Sequence, residues 1–285
     1  MAFHPGTLPD LKGNVFIVTG GNSGIGYDTV AHLAEHGAHV YMCARSPEKG
    51  HSSHRQHQEN TPHFLALETA LHGLVNNAGI MAMPFEMAKD GREAQWQTNY
   101  LAHWVLTKHL LPLMLQIAKT LHPGSVRIVN LTSSGHLGAP KGGISFKDLS
   151  PKDSGPWARY EQNKLANILH GKILHKAYGP GSPSARNVES EIWVSPVHPG
   201  LVETNLATSV GDSSSGMICA FSVLHMFRLM WLADKGSWTS FFCTASRDIK
   251  AQQSGTYLKV FRRFGELRWQ SSMANDGKLV EMLEG

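Results

Sequence analysis

Short apolar runs recur along the chain, separated by longer stretches in which apolar residues return at helical spacing. Asn14 to Val18 reads Asn-Val-Phe-Ile-Val, a β-rich run suited to a strand buried on both faces. A helical pattern follows to Glu35 and stops at Gly37. Ala38 to Ala44, Leu74 to Asn76, Val126 to Leu131 and Glu191 to Pro196 predict further strands, and Gly255 to Val260 a last one. Between them, Gln97 to Ala118, Trp157 to Tyr178 and Lys235 to Ser246 predict helices. In the second of these, Leu165, Ile168, Leu169, Ile173 and Ala177 give one face that can pack on a core. Strands alternating with helices predict an α/β fold, a parallel sheet with helices on both faces.

Composition changes this picture little. A chain of 285 residues with 41% hydrophobic and 17% charged residues can bury a sizeable α/β core. The net charge of +4, with no basic run or aromatic-basic repeat, argues against a nucleic-acid surface. Cys43, Cys219 and Cys243 are odd in number and lack metal-ligand spacing, so they read as reduced thiols of an intracellular, cytoplasmic protein. Met1 to Leu11 shows no secretory signal pattern.

The candidate chemistry sits where predicted strands end. The first strand runs into Thr19-Gly20-Gly21-Asn22-Ser23-Gly24-Ile25-Gly26 and then a helix. Glycines permit a tight turn, and the helix N-terminus offers free N–H groups to a pyrophosphate. After the second strand stands Cys43-Ala44-Arg45, with no carboxylate to repel a 2′-phosphate and an arginine able to bind one. This favours NADP(H) over NAD(H). Tyr160 and Lys164 lie four apart, one turn along a helix face. A free phenol has a pKa of about 10, and a nearby ammonium favours its ionised form, which suits it to move a proton. Such a pair also arises by chance on many helices.

Together these motifs resemble the short-chain dehydrogenase/reductase family, over about Leu11 to Thr256. Wording such as Asn76-Asn77-Ala78-Gly79-Ile80-Met81 and Lys164-Leu165-Ala166-Asn167 is similar to the retinol-dehydrogenase-like and WW-domain-oxidoreductase-like branch, near which many fungal reductases fall. The resemblance implies a Rossmann-type doubly wound sheet in one dinucleotide-binding oxidoreductase domain. It implies Tyr160 as general acid/base, Lys164 as its partner and ribose ligand, Ser133 as donor to the substrate oxygen with Ser134 as the lesser candidate, and Asn99 as holder of a relay water. It places Gly20, Asn22, Ser23, Gly24, Ile25 and Gly26 around the pyrophosphate, Arg45 at the 2′-phosphate and Asn77, Ala78 and Gly79 beside the ribose. Pro199, Val202 and Thr204 would hold the nicotinamide end. Asn163 stands where the branch often carries serine.

One departure is large. Between Arg45 and Asn76 the family fits a helix, a third strand and another helix, and this chain is too short for all three. Were His63 to Leu67 that third strand, the chain would have to move about 14 Å sideways and return about 16 Å along the sheet. Glu68 to Gly73 spans at most about 22 Å when fully extended, with no slack left to rise off the sheet. Parallel crossovers take about a dozen residues or more. The third strand is therefore expected to be missing, with Phe64 to Leu71 as the tail of a helix in one irregular crossover and the second strand left as an exposed edge. A splice variant or misdrawn gene boundary would account for the gap. His51, His54, His57 and His63 fall in this remnant and read as a solvated, poorly ordered linker rather than a metal site.

Residues 205–234 form an apolar segment, densest from Gly216 to Ala233 and interrupted by His225 and Arg228. It is short for a membrane span. By the resemblance it is a lid over a hydrophobic aldehyde, ketone or alcohol; a core or oligomer-facing helix and a peripheral membrane contact are the other readings. The resemblance also allows a homo-oligomer. The whole predicts an NADP(H)-dependent oxidoreductase. The alternative is a catalytically impaired variant, damaged by the gap and acting only through protein contacts.

Overall fold

The computed structural model describes residues 3–44, 54–187, 190–200, 233–261, 263–267 and 270–284. Arg45, Val202, Thr204 and nearly all of the 205–234 segment lie outside them. The strands are β1 (Val15–Thr19), β2 (His39–Cys43), β3 (Gly73–Asn76), β4 (Val126–Leu131), β5 (Ile192–His198), β6 (Leu258–Phe261) and β7 (Arg263–Leu267). They form one sheet in the order β2-β1-β3-β4-β5-β6-β7, parallel throughout except for the antiparallel β6–β7 pair. The helices are α1 (Gly24–Glu35), α2 (His54–Leu67), α3 (Ala94–Trp96), α4 (Ala102–Ala118), α5 (Pro156–Tyr178), α6 (Pro183–Arg186), α7 (Ala233–Ala245) and α8 (Gly277–Glu284).

Both faces of the sheet are covered, which is why β1, β3 and β4 are mostly apolar and buried from end to end. Successive side chains point to opposite faces. Phe16, Val18, Val75, Val129 and Val197 meet Leu33 of α1 and Phe241 and Phe242 of α7. Val15, Ile17, Leu74, Ile128 and Val194 meet Phe64 of α2 and Leu106, Leu110 and Met114 of α4. Phe3, ahead of β1, closes the first layer with its ring 5.1 Å from that of Phe242.

Among the described residues β2 is the outermost strand on its side, and one crossover carrying α2 leads from it to β3 on the far side of β1. Among the described residues no strand stands between β2 and β3 along the chain, and the 68–73 link enters β3 directly. Two expectations for this region change. Residues 54–67 are a helix, not a disordered linker, because Phe64 packs edge-on against Tyr41 of β2 at 4.9 Å. The helix stops at Leu67; Leu71 is fully buried in the link that enters β3. At the other end of the sheet, the chain past Arg262 supplies β7 and α8.

Candidate active site

The chain leaves β1 toward β2 on one side and later returns to β3 on the other, so the sheet has its switch point between β1 and β3. Ligands of such sheets bind outside the carboxyl ends of the strands at that point. The Gly20–Gly26 turn follows β1 and Asn77–Gly79 follows β3, so both predicted cofactor motifs open into the same crevice.

Gly20 and Gly24 have φ of +65° and +51°, which an L side chain adopts only with strain. A Cβ on Gly20 would lie 2.9 Å from Ala78 Cα, and one on Gly26 would collide with the Gly20 carbonyl oxygen. The turn can close only with glycine at these places. Asn77 locks it: Nδ2 donates to the carbonyls of Thr19 at 2.8 Å and Gly20 at 3.2 Å. Thr19 completes the lock, its Oγ1 accepting from the amides of Asn77 and Ala78 at 2.9 and 3.0 Å. Ser23 caps α1 without a side-chain hydrogen bond, and the first turn of α1 carries no acidic residue. Its amides and the positive end of the helix dipole are thus available to an anion, so the residues present fit a pyrophosphate.

Tyr160, Lys164, Ser133 and Asn99 come from three elements and converge beside this crevice. Asn99 lies in a π-helical segment, Gln97–Leu101, between α3 and α4. Its Oδ1 accepts from the Ile80 amide at 2.8 Å and its Nδ2 donates to the Ile80 carbonyl at 2.9 Å. It therefore fastens the loop after β3. A Cβ built on Gly79 would stand 3.3 Å from Asn99 Oδ1 and 3.8 Å from Lys164 Nζ, which places the two side chains at one spot. Lys164 Nζ donates to the Leu131 carbonyl at 3.2 Å and lies 5.5 Å from the Tyr160 ring centroid. Ser133 follows β4, and a Cβ built on Gly135 would stand 3.4 Å from its Oγ and 3.3 Å from Tyr160 Cε1, which places the two side chains close together.

Tyr160 and Lys164 are both buried, with 5% and 6% of their surface exposed. Burial pushes the Tyr160 phenol up to about 12 despite the nearby Ser133 side chain, which acts the other way; the Glu161 charge adds to the rise. Burial lowers the Lys164 ammonium to about 8. The expectation that Lys164 would bring Tyr160 below its ordinary value is corrected here. The ammonium is aimed at the Leu131 carbonyl, and loss of hydration dominates both groups. The site thus sets a protonated phenol next to a lysine whose proton is held more loosely than usual, down to about 8.

Met81, Ala82 and Trp157 pack around Tyr160. Ala82 adopts φ 48°, uncommon for a residue with a side chain, and the loop carrying it is held by a buried ion pair. Arg159 Nε donates to Glu93 Oε1 at 3.2 Å, Nη2 to the Met83 carbonyl at 3.1 Å, and Nη1 to the Ser154 carbonyl. Pro199 is buried immediately past β5. Sequence reading missed Thr19, Arg159 and Asn167, whose Nδ2 donates to the Leu131 carbonyl at 3.0 Å beside Lys164 Nζ. Asn167 lies three residues after Lys164, a spacing that could have marked it.

A family model described as short chain dehydrogenase matches residues 14–72. The drtF short-chain dehydrogenase/reductase of Aspergillus calidoustus is 45% identical over 281 residues, 89% of this chain and 87% of its own. The chain belongs to the short-chain dehydrogenase/reductase family. Mouse retinol dehydrogenase 12 is 30% identical over 97% of this chain and 86% of its own, in keeping with the retinol-dehydrogenase-like branch. The NADPH-bound carbonyl reductase of chicken fatty liver shares the fold, with a TM-score of 0.58 at 19% identity over 87% of this chain and 97% of its own. As a short-chain dehydrogenase/reductase the protein is of an oxidoreductase family whose members use NAD(P). Among the described residues no helix of this family member is long and apolar enough to cross a membrane.

Proposed function

We propose that the protein is an NADP(H)-dependent oxidoreductase that moves hydride between nicotinamide and a hydrophobic aldehyde, ketone or alcohol. The observation that carries this reading is the placement of Tyr160, close to the Ser133 side chain, beside Lys164 and enclosed by Met81, Ala82 and Trp157. The bound dinucleotide supplies the hydride, and the chain orients it.

In the reducing direction Tyr160 gives its phenol proton to the substrate oxygen, while the Ser133 hydroxyl donates a hydrogen bond to the charge that builds there. A phenol kept protonated by burial suits this role. Lys164, near about 8, stabilises the phenolate left behind and returns a proton to it. Asn99 holds the Ile80 loop against Lys164, and a relay water beside that pair would resupply the proton. The apolar contacts of Tyr160 favour a substrate whose reacting carbon carries a hydrophobic body, and the apolar 205–234 segment would cover it. NADP(H) preference is read from Arg45 and the lack of a carboxylate after β2.

One observation favours a second reading, a variant with an impaired cofactor site. With β2 outermost among the described residues, the adenosine end of the crevice lacks the wall that a third strand would give.

Titration of the purified full chain with NADPH and NADH, followed by thermal shift and nicotinamide fluorescence, separates the two. Saturable stabilisation that is stronger with NADPH, about 2.7 kcal/mol at a hundredfold excess over Kd, supports the first reading. A folded chain that responds to neither cofactor overturns it. With an active carbonyl substrate found, Tyr160→Phe is expected to lower kcat about 100-fold or more and leave NADPH affinity unchanged. Retained turnover in that variant would remove Tyr160 from the mechanism.

A further inference from the structure

Behind Ser133 the carboxyl end of the sheet holds a buried polar cluster that the proposed chemistry does not use. His198 and Lys259 are register partners on β5 and β6, and alternation puts them on the α5 face together with Tyr257. His136 lies in the turn after β4, fully buried, its ring 4.9 Å from that of Tyr257 at 65°. Tyr257 Oη and His198 Nδ1 lack a hydrogen-bond partner among the described residues. His136 differs, because both of its ring nitrogens are engaged.

The partners of His136 settle which nitrogen carries the proton. Nδ1 lies 2.7 Å from the carbonyl oxygen of Ser133, which can only accept, so Nδ1 bears the hydrogen. Nε2 lies 3.4 Å from the backbone N–H of Ser271, which can only donate, so Nε2 presents its lone pair. The His136 backbone amide also donates to the Ser133 carbonyl, at 3.2 Å. One residue thus holds that carbonyl twice, by main chain and by side chain. Ser133 is fixed in extended conformation, φ −151° and ψ 155°, and its Oγ accepts from the Gly135 amide at 3.0 Å. With that lone pair occupied, the hydroxyl hydrogen and the second lone pair are what remain for the Tyr160 side of the site.

We propose that His136, as its Nδ1–H tautomer, is the positioning residue of the site serine: it clamps the Ser133 carbonyl so that the hydroxyl faces Tyr160, and through Nε2 it fastens that clamp to the Ser271–Asn275 turn near the chain's end. The inference rests on the reading of Ser133 as donor to the substrate oxygen. An apolar ring of similar size could fill the same space against Tyr257. It would leave the Ser133 carbonyl with one donor and the Ser271 amide with none, so packing alone does not account for a histidine here. A misplacement of Ser133 by about an ångström would cost roughly tenfold to a hundredfold in kcat.

The test compares the wild-type chain with His136→Phe, which keeps a ring and loses both hydrogen bonds, and His136→Asn, whose amide can still donate from the place of Nδ1. Imidazole ¹⁵N–¹H spectra of the folded wild type, assigned by the signal lost in His136→Phe, read the tautomer without any turnover. An Nδ1–H signal protected from exchange is expected; an Nε2–H tautomer or an imidazolium at neutral pH would overturn the clamp. With a carbonyl substrate, kcat should fall about tenfold to a hundredfold in His136→Phe, with NADPH affinity within about twofold, and return most of the way in His136→Asn. Unchanged kcat in His136→Phe, or equal loss in both variants, counts against positioning. Should His136→Phe fail to fold, the tautomer signal, assigned instead by its loss in His136→Asn, and the activity of that variant decide. A folded wild type that binds NADPH and reduces no hydrophobic carbonyl refutes the role given to Ser133, while the imidazole spectrum still decides the clamp.

Discussion

Lys164 holds an ammonium where water does not reach, and its consequence for stability has a definite sign. An ordinary lysine titrates at about 10.4, whereas burial puts Lys164 at about 8. The folded chain therefore holds this proton less tightly than the unfolded chain does. Below about 8 the folded state carries the whole cost of a buried cation; between there and about 10.4 the cost fades as pH rises. Lys164→Met removes that cost, so calorimetry at pH 7 should find the variant more stable by about 1–3 kcal/mol, with the gap closing toward pH 10.4 and turnover lost. Because wild type and variant share the raised Tyr160, its own titration cancels in the difference. Gly26 shows the opposite kind of constraint. A single methyl there meets the Gly20 carbonyl, so Gly26→Ala should weaken NADPH binding and lower stability by about 1–3 kcal/mol, read by titration and urea unfolding. The glycine requirement is legible from the spacing, since the turn must close whatever surrounds it. The ionisation of Tyr160 and Lys164 is not, because it depends on how much water the rest of the fold removes.

Among the elements, α5 departs most from its expected form. Its apolar spacing predicts one packed face, yet residues 162–171 are buried all round. The sheet covers one side, while Leu279 of α8 and Ala274 just before it pack with Leu165, Ile168 and Leu169. A helix buried all round shows little amphipathic pattern, which is why periodicity understated it. Its first turn is secured by Arg159, one residue before Tyr160, through the buried pair with Glu93 and two loop carbonyls. Breaking one partner of a buried pair strands the other. Arg159→Met and Glu93→Gln should each destabilise by about 3–5 kcal/mol, and the double variant by much less than their sum, in denaturant titrations. In steady-state kinetics and NADPH titration Arg159→Met should lower kcat more than NADPH affinity, because the Met81–Met83 wall beside Tyr160 loses its anchor.

Across the whole molecule, protection should follow position in the sheet. β4 lies between β3 and β5 with every residue buried, whereas β2 pairs with β1 alone among the described residues and leaves Met42 half exposed. Amide hydrogen exchange is expected to be slowest in β4 and markedly faster in β2, and equal protection would show the β2 edge to be covered. Local patterns determined a good deal of this protein by themselves. The strand ends at Val126–Leu131, the glycine turn after β1, the shared helix face of Tyr160 and Lys164 and the insufficient length of the 68–73 link all follow from rules that act over a few residues. Tertiary structure alone decided the rest. Lys164 points to the Leu131 carbonyl, Asn99 ties Ile80, and His136 joins Ser133 to Ser271 across 135 positions of sequence. β7 and α8 likewise become apparent only when the sheet edge and the outer face of α5 are there to receive them. Turns and periodicity are set by neighbours along the chain; burial, ionisation and hydrogen bonds between distant segments are set by neighbours in space.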